Sequence, residues 1–330
     1  MSRVKLLFEL SGEHPELSLV ELSSVAEAIE GTSPKIDVDS STAMIDSETD
    51  PVEFGQRMAL CHRINEVLAT GSIDELKETA RSLALGGSVA VRCRKLSREW
   101  MEPCSGIERQ FGEILAATHS IDLGNPSAVI RILLGKSAHL TIQRAKVDRA
   151  GYEARKVALR PFFYPISLHP RFARLLVNMT KVRIGETLLD PFCGTGGIVI
   201  EATLVGASAA GSDLRSDMVE GCRDNLAKFG LSAELFTTDV RKLEEYIQNV
   251  DAIATDPPYG RSTSTNGDIE SLYSESFSVF SRILKKGGLL AIILPEKRMI
   301  KMGEEHMDLQ VSHSLRVHKS LTRHFCLYKN

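Results

Sequence analysis

From residue 187 onward, short apolar runs alternate with amphipathic stretches, and this alternation constrains the fold more than any other feature. Strands are expected at 187–190, 209–213, 233–239, 252–256 and 289–294, with helices near 197–206, 216–229, 241–248 and 269–285. Strand, helix, strand at this spacing means parallel strands joined by right-handed crossovers. Two later runs, 309–318 and 322–329, have no helix between them, which predicts an antiparallel pair closing the sheet. The expected fold class is therefore α/β with a mostly parallel sheet.

The half before it is patterned differently. An apolar strand run at 4–10 precedes a helical stretch carrying Leu17, Val20, Leu22, Val25, Ala26 and Ile29, and a further strand at 42–46. Ser72, with Glu75 three residues on, predicts a capped helix over 73–83. The run 88–95 alternates and sets Arg92 and Arg94 on one face. A helix is expected at 106–118, and strands 127–134 and 137–144 flank the turn signal Gly135-Lys136. Mixed elements without strict alternation predict an α+β region. The expected organisation is an N-terminal module over 1–60, a second domain over 61–150, a linker over 151–165 and the α/β domain over 166–330.

With 43% hydrophobic and 25% charged residues, the 330-residue chain has ordinary globular composition, which excludes disordered, collagen-like and disulfide-scaffold classes. Its formal net charge of −3 argues at face value against nucleic acid. The sum hides a gradient, however. Residues 1–50 hold 3 basic and 11 acidic side chains, whereas residues 81–200 hold 18 basic and 9 acidic. No apolar run reaches the length of a bilayer span, so no membrane association is expected. The six cysteines, at 61, 93, 104, 193, 222 and 326, include no C-x-x-C pair, which predicts reduced thiols in a cytoplasmic protein and no metal site. The Gly135-Lys136-Ser137 step has Ile130 where a P-loop requires glycine, so nucleoside triphosphate binding is rejected.

Two constellations carry chemistry. In the first, an apolar strand ends at Asp190 and runs through Pro191, Phe192, Cys193, Gly194, Thr195, Gly196 and Gly197 into a helix. Glycines there let backbone N–H groups approach a ligand closely. Asp213 follows Gly194 by nineteen positions, where a carboxylate grips ribose hydroxyls. By spacing alone a nicotinamide enzyme is open. Against it, Val199 stands where the third glycine of G-x-G-x-x-G would fall, and Asp190 would repel a pyrophosphate. A carboxylate there suits a ligand with an amino group instead, such as the methionine end of S-adenosylmethionine.

In the second, a strand ends in Asp256 and is followed at once by Pro257, Pro258 and Tyr259. Prolines fix φ and remove donors, leaving a rigidly aimed carbonyl. Carboxylate, carbonyl and aromatic face together suit a planar group bearing an exocyclic amine: Asp256 and the Pro257 carbonyl accept its two N–H bonds, and Tyr259 stacks on the ring.

Together the two motifs resemble those of class I S-adenosylmethionine-dependent methyltransferases acting on exocyclic amines of nucleobases. The segment from Arg160 to Asn178, DPFCGTGGIVIEA, DPPYGRST and His318-Lys-Ser-Leu-Thr-Arg323 are similar to the archaeal tRNA guanine-10 N2-methyltransferases. The likeness is dense over 160–330 and mostly topological before 150. It implies a Rossmann-like methyltransferase domain preceded by a ferredoxin-like module and a THUMP RNA-binding domain, S-adenosylmethionine as cofactor and tRNA as substrate. It also implies two successive transfers to the N2 amine of one guanosine, no DNA substrate and no required partner subunit. By the same pattern Asp239 and Val240 meet the adenine of the cofactor, although Asp239 also reads as a helix cap. Ser167 meets the methionine end, or caps a helix.

The guanine N2 amine is a poor nucleophile because its lone pair is delocalised. Hydrogen bonds from it to Asp256 and the Pro257 carbonyl would draw it toward sp3 geometry, and Asp256 would stabilise the developing charge. Arg92, Arg94, Lys95, Arg98, Arg144, Lys146 and Arg149 are the expected phosphate contacts. The competing readings are the same chemistry on another tRNA or rRNA guanosine, a DNA adenine methyltransferase, and a non-catalytic RNA-binding protein with a vestigial cofactor fold. The intact set of Asp190, Asp213 and Asp256 argues against the last.

Overall fold

The computed structural model describes residues 3–164, 167–259, 269–318 and 321–330. The loop expected at 261–268, and parts of the 160–178 and 318–323 segments, lie outside them. The chain divides into two compact units, Met1–Leu19 with Thr32–Gln56 and Leu60–Asp148, and Val20–Gly31 with Arg57–Ala59 and Arg149–Asn330. Among the described residues, no helix is long and apolar enough to cross a membrane.

The elements of the first half are β1 (Val4–Leu10), α1 (Pro15–Glu30), β2 (Asp37–Asp39), β3 (Thr42–Ser47), α2 (Pro51–Arg57), β4 (Cys61–Gly71), α3 (Ile73–Arg81), β5 (Ser88–Lys95), α4 (Cys104–Ala116), β6 (Ser120–Ile121), β7 (Ala128–Leu134) and β8 (Ala138–Lys146). One eight-stranded sheet takes the order β2-β3-β1-β4-β8-β7-β5-β6. It runs without a break through residue 60, the expected boundary between the first two domains. The reason is β4, which pairs β1 on one side and β8 on the other. Ile107, Phe111 and Leu115 of α4 and Leu76 of α3 pack on Val89, Ile130, Ile132 and Leu140 of the sheet. The expected capping box is present: the Ser72 hydroxyl accepts from the Glu75 N–H while the Glu75 carboxylate accepts from the Ser72 N–H.

The second half comprises α5 (Arg149–Ala154), α6 (Pro170–Met179), β9 (Thr187–Asp190), α7 (Gly197–Leu204), β10 (Ser208–Asp213), α8 (Ser216–Lys228), β11 (Glu234–Thr237), β12 (Val250–Thr255), α9 (Ile269–Ile283), β13 (Leu284–Leu294), α10 (Lys297–Glu304), β14 (Asp308–His318) and β15 (Leu321–Lys329). The helix expected at 241–248 is a short 3-10 turn, Val240–Glu245. The sheet order is β11-β10-β9-β12-β13-β15-β14. The first five strands are parallel, and β15 runs antiparallel between β13 and β14. The strand order therefore reverses between β9 and β12, and crevices at such reversals, beyond the carboxyl ends of the strands, are where open α/β sheets bind ligands.

The stretch expected as a linker is a packed part of this unit. Tyr152 of α5 is 3% exposed and its hydroxyl donates to the Met58 carbonyl at 3.1 Å. Arg155 and Arg174 close from two sides on Glu201 of α7, a fully buried carboxylate, at 2.7 and 2.8 Å. Arg155 engages both carboxylate oxygens through Nε and Nη2, and Arg174 sets its Nε and Nη2 on one of them.

Candidate active site at the strand ends

Sequence places an acid at the end of four of the expected parallel strands, Asp190, Asp213, Asp239 and Asp256, and because those strands are parallel the acids lie toward one edge. Asp190, after β9, is 2% exposed. Its Oδ1 accepts from the Thr255 hydroxyl at 2.7 Å, which ties β9 to the end of β12, and from the Phe192 N–H at 3.2 Å. Burial pushes the carboxyl up to about 7; those two donors oppose the rise, and the charges of Asp256 and Asp213 add to it.

The turn that follows needs its glycines for different reasons. Gly194 sits at φ +48° and Gly196 at φ +81°, both in the left-handed region. A Cβ on Gly194 would meet nothing within 4 Å, so this backbone edge opens onto free space, whereas one on Gly196 would lie 2.5 Å from the Cys222 sulfur. The Cys193 thiol also turns inward to Cys222, and both are buried. Cys193 thus contributes packing to the turn. Thr195 is buried, and its hydroxyl lies 3.1 Å from that of Ser167. The two strand-end motifs and the segment ahead of β9 therefore converge.

Asp213, at the end of β10, accepts from the Gly194 N–H at 3.1 Å and the Arg215 N–H at 3.0 Å, so it braces the turn it faces. Burial leads in raising its pKa, and the two N–H donors pull the other way. Asp239 caps the 3-10 turn by accepting from the Arg241 N–H at 2.9 Å, the alternative role its position allowed. Val240 beside it is buried in the core.

Asp256 is half-buried just beyond β12. Its Oδ1 accepts from the Tyr259 hydroxyl at 2.6 Å. Burial raises its pKa, while the Arg323 charge and the Tyr259 hydrogen bond lower it. Pro257 is buried, and the carbonyl of Pro258 accepts from the Tyr273 hydroxyl of α9 at 3.2 Å. The proline pair is thereby pinned to the helix behind it.

Several residues that contact the site lie outside the two strand-end motifs. Asn225 of α8 binds both backbone groups of Phe162 and donates to the Thr195 carbonyl at 2.9 Å, clamping the segment before α6 onto the glycine turn. Arg160 is buried against the same turn, with Nη1 3.5 Å from the Thr195 hydroxyl. Thr255 donates to Asp190, and Arg323 donates to the Tyr259 hydroxyl at 3.2 Å. The only sequence signal for Asn225 is a polar residue on the buried face of a helix, which periodicity alone assigns to chance.

The expected phosphate contacts divide. Lys95, Arg98, Lys146 and Arg149 are exposed. Arg94 instead donates to Glu9 at 2.9 Å, and Arg131 reaches the other oxygen of the same buried carboxylate at 2.8 Å. Burial disfavours the Glu9 charge, but Arg131, Arg94, Arg63 and Asn65 together hold its pKa below the usual range. Arg92 donates to the carbonyls of Val91 and Leu123, and Arg144 pairs with Glu66 at 2.7 Å. Part of the basic excess read from sequence is therefore internal counter-charge.

Residues 158–324 match the RMKL-like methyltransferase domain family. Over 97% of this chain and 98% of its own length, the tRNA (guanine(10)-N2)-dimethyltransferase of Methanothermobacter thermautotrophicus is 36% identical. Among solved structures, TrmN from Thermus thermophilus superposes with a TM-score of 0.58 at 23% identity, covering 99% of this chain and 100% of that one. SMU.472, solved with SAH, covers 99% and 98% with a TM-score of 0.55 at 15% identity. The fold is that of the class I S-adenosylmethionine-dependent methyltransferases, and the chain belongs to the tRNA (guanine(10)-N2)-dimethyltransferase family.

Proposed function

We propose that this chain methylates the exocyclic N2 amine of a guanosine in tRNA, at position 10, in two successive rounds. The observation that carries the reading is the Thr255–Asp190 hydrogen bond at the strand-order reversal. It locks the turn after β9 to the strand that delivers Asp256, so cofactor grip and amine acceptor are fixed in one frame.

The residues fit the cofactor. Three carboxylates at one edge favour a ligand with cationic ammonium and sulfonium groups and disfavour a pyrophosphate. The open backbone edge at Gly194 gives that ligand access, with Asp213 beside it for ribose hydroxyls. Asp190, Pro191, Gly194, Thr195, Gly197 and Ser167 would hold the methionine end and the turn, and Asp239 and Val240 the base. When bound, S-adenosylmethionine supplies the electrophilic methyl group.

The chain's own part is to aim and polarise the amine. Asp256 accepts one N–H bond and the Pro257 carbonyl the other, so the lone pair leaves conjugation and points toward the bound methyl. Asp256 then balances the positive charge that develops on nitrogen. The base must leave its stack to reach this edge, which costs a few kcal/mol and favours a nucleotide outside regular helix.

We read residues 61–150 as a THUMP domain and residues 1–60 as a ferredoxin-like module, their strands joined in one sheet. Lys95, Arg98 and Lys146 would meet phosphates, giving affinity that falls steeply with salt. A tRNA substrate places the work in the cytoplasm, and the chain is expected to need no activating subunit.

The test is incubation of the purified chain with labelled S-adenosylmethionine and unmodified tRNA, followed by digestion and mass spectrometry. N2-methylguanosine and N2,N2-dimethylguanosine at position 10 are expected; product on adenine, or only with DNA, overturns the reading. Asp256→Ala should still bind cofactor but lose transfer by about 10²–10⁴-fold.

A further inference from the structure

Beyond Asp256 itself, the antiparallel strand supplies a side chain that the motif does not contain. Because β15 runs against β13, its first residues lie where the parallel strands end: His324 is paired with Leu294, the last residue of β13. Arg323 is thereby delivered to the edge that carries Asp256. Its Nε donates to the Tyr259 hydroxyl at 3.2 Å, and that hydroxyl lies 2.6 Å from Asp256 Oδ1.

The chemistry of the three groups fixes the polarity of this chain. A guanidinium has donors and no acceptor, so the phenol oxygen must accept from Arg323. The phenol has one proton, which is then directed at Asp256. The carboxylate is left as the terminal acceptor, with Oδ1 engaged. Hydrogen bonds aligned in this sense strengthen one another.

We propose that Arg323 is a positioning residue for the transfer reaction: acting through Tyr259, it keeps Asp256 ionised and rotationally fixed as the acceptor for the guanine amine. This rests on the reading of Asp256 given above. Among the described residues, the groups facing Asp256 support the need for such a device. Burial pushes Asp256 toward protonation, and the charge of Arg323 opposes it. The other groups around it supply no cation: Asp190 shares the edge, Tyr259 and Tyr273 are neutral phenols, and the charges of Asp213 and Glu296 act on Asp190 and Tyr273 respectively.

The role predicts a displaced pH profile. Losing the cation raises the pH at which Asp256 ionises, so the acid limb of kcat moves to higher pH. The experiment compares wild type, Arg323→Met, Arg323→Lys, Tyr259→Phe and the Tyr259→Phe/Arg323→Met double variant, in single-turnover transfer to unmodified tRNA with saturating cofactor. Arg323→Met should move the acid limb up by about one pH unit, with Arg323→Lys recovering part of the displacement. Cofactor affinity should stay within about twofold, and on the pH plateau, where Asp256 is ionised in every variant, the double variant should be no worse than Tyr259→Phe alone, because the hydrogen-bonded path is cut twice. An acid limb that does not move in Arg323→Met, or plateau penalties that multiply in the double variant, overturns the proposal. Asp256→Ala separates the two levels. If that variant still transfers methyl, the reading of Asp256 fails; if it is inactive and the Arg323→Met profile is unmoved, only the relay fails.

Discussion

Replacing Asp190 by asparagine tests whether the acid at the end of β9 is held against the stability of the fold. Its carboxyl is almost wholly buried, and burial lifts its pKa from 3.8 to about 7. A native carboxyl that holds its proton more tightly than the unfolded chain stabilises the fold in acid. That contribution is complete below pH 3.8 and is lost as pH rises through about 7. At about 1.36 kcal/mol per pH unit, ionised Asp190 costs about 4 kcal/mol above neutrality relative to strongly acid solution. Roughly 2.5 kcal/mol of this develops between about pH 5 and pH 8. Asparagine keeps an acceptor for the Thr255 hydroxyl and the Phe192 N–H but has nothing to ionise. Urea denaturation of both proteins at the two pH values should show the difference in stability shifting toward Asp190→Asn by that amount as pH rises. A difference that is the same at both would refute the argument, whatever its sign. Function should respond in the opposite direction. A cationic ligand favours the ionised carboxyl, so wild-type affinity for S-adenosylmethionine should climb as pH rises through 7, and the variant should bind weakly at every pH.

Two further perturbations probe the frame around the site. Gly196→Ala combines a left-handed φ of +81° with a Cβ 2.5 Å from the Cys222 sulfur. It should cost about 2–4 kcal/mol and weaken cofactor binding; in a Cys222→Ala background chemical denaturation should show only the backbone part, about 1–2 kcal/mol. Glu201→Gln replaces the carboxylate between the Arg155 and Arg174 guanidiniums with a neutral amide and takes away their shared counter-charge. A loss of about 3–5 kcal/mol is expected in thermal or urea unfolding; a loss below about 1 kcal/mol would mean that water reaches these charges.

What is legible in the sequence follows from where each signal resides. The five parallel strands, the glycine turn and the acids at 190, 213 and 256 stand where the sequence pattern puts them, because burial periodicity and turn chemistry are local properties of sequence. The capping box at Ser72 is legible for the same reason. Strand β4 is not. Cys61–Gly71 mixes His, Arg, Asn and Glu with apolar residues in no clean alternation, and its pairing with β8 shifts register twice. Only its two neighbours in the sheet make it a strand. The charges at Arg94 and Arg131 could be counted but not assigned, since their partner Glu9 lies 85 and 122 positions away.

Sequence by itself thus determined the architecture of the catalytic half and the atoms available for chemistry, because alternation, glycine and proline act over a few residues. Tertiary structure alone decided which of those atoms meet. Thr255 reaches Asp190 because β12 lies beside β9 at the point where strand order reverses, and Arg323 reaches Tyr259 because β15 enters the sheet backwards. Those encounters depend on the order and direction of strands distant in the chain, which no local pattern records.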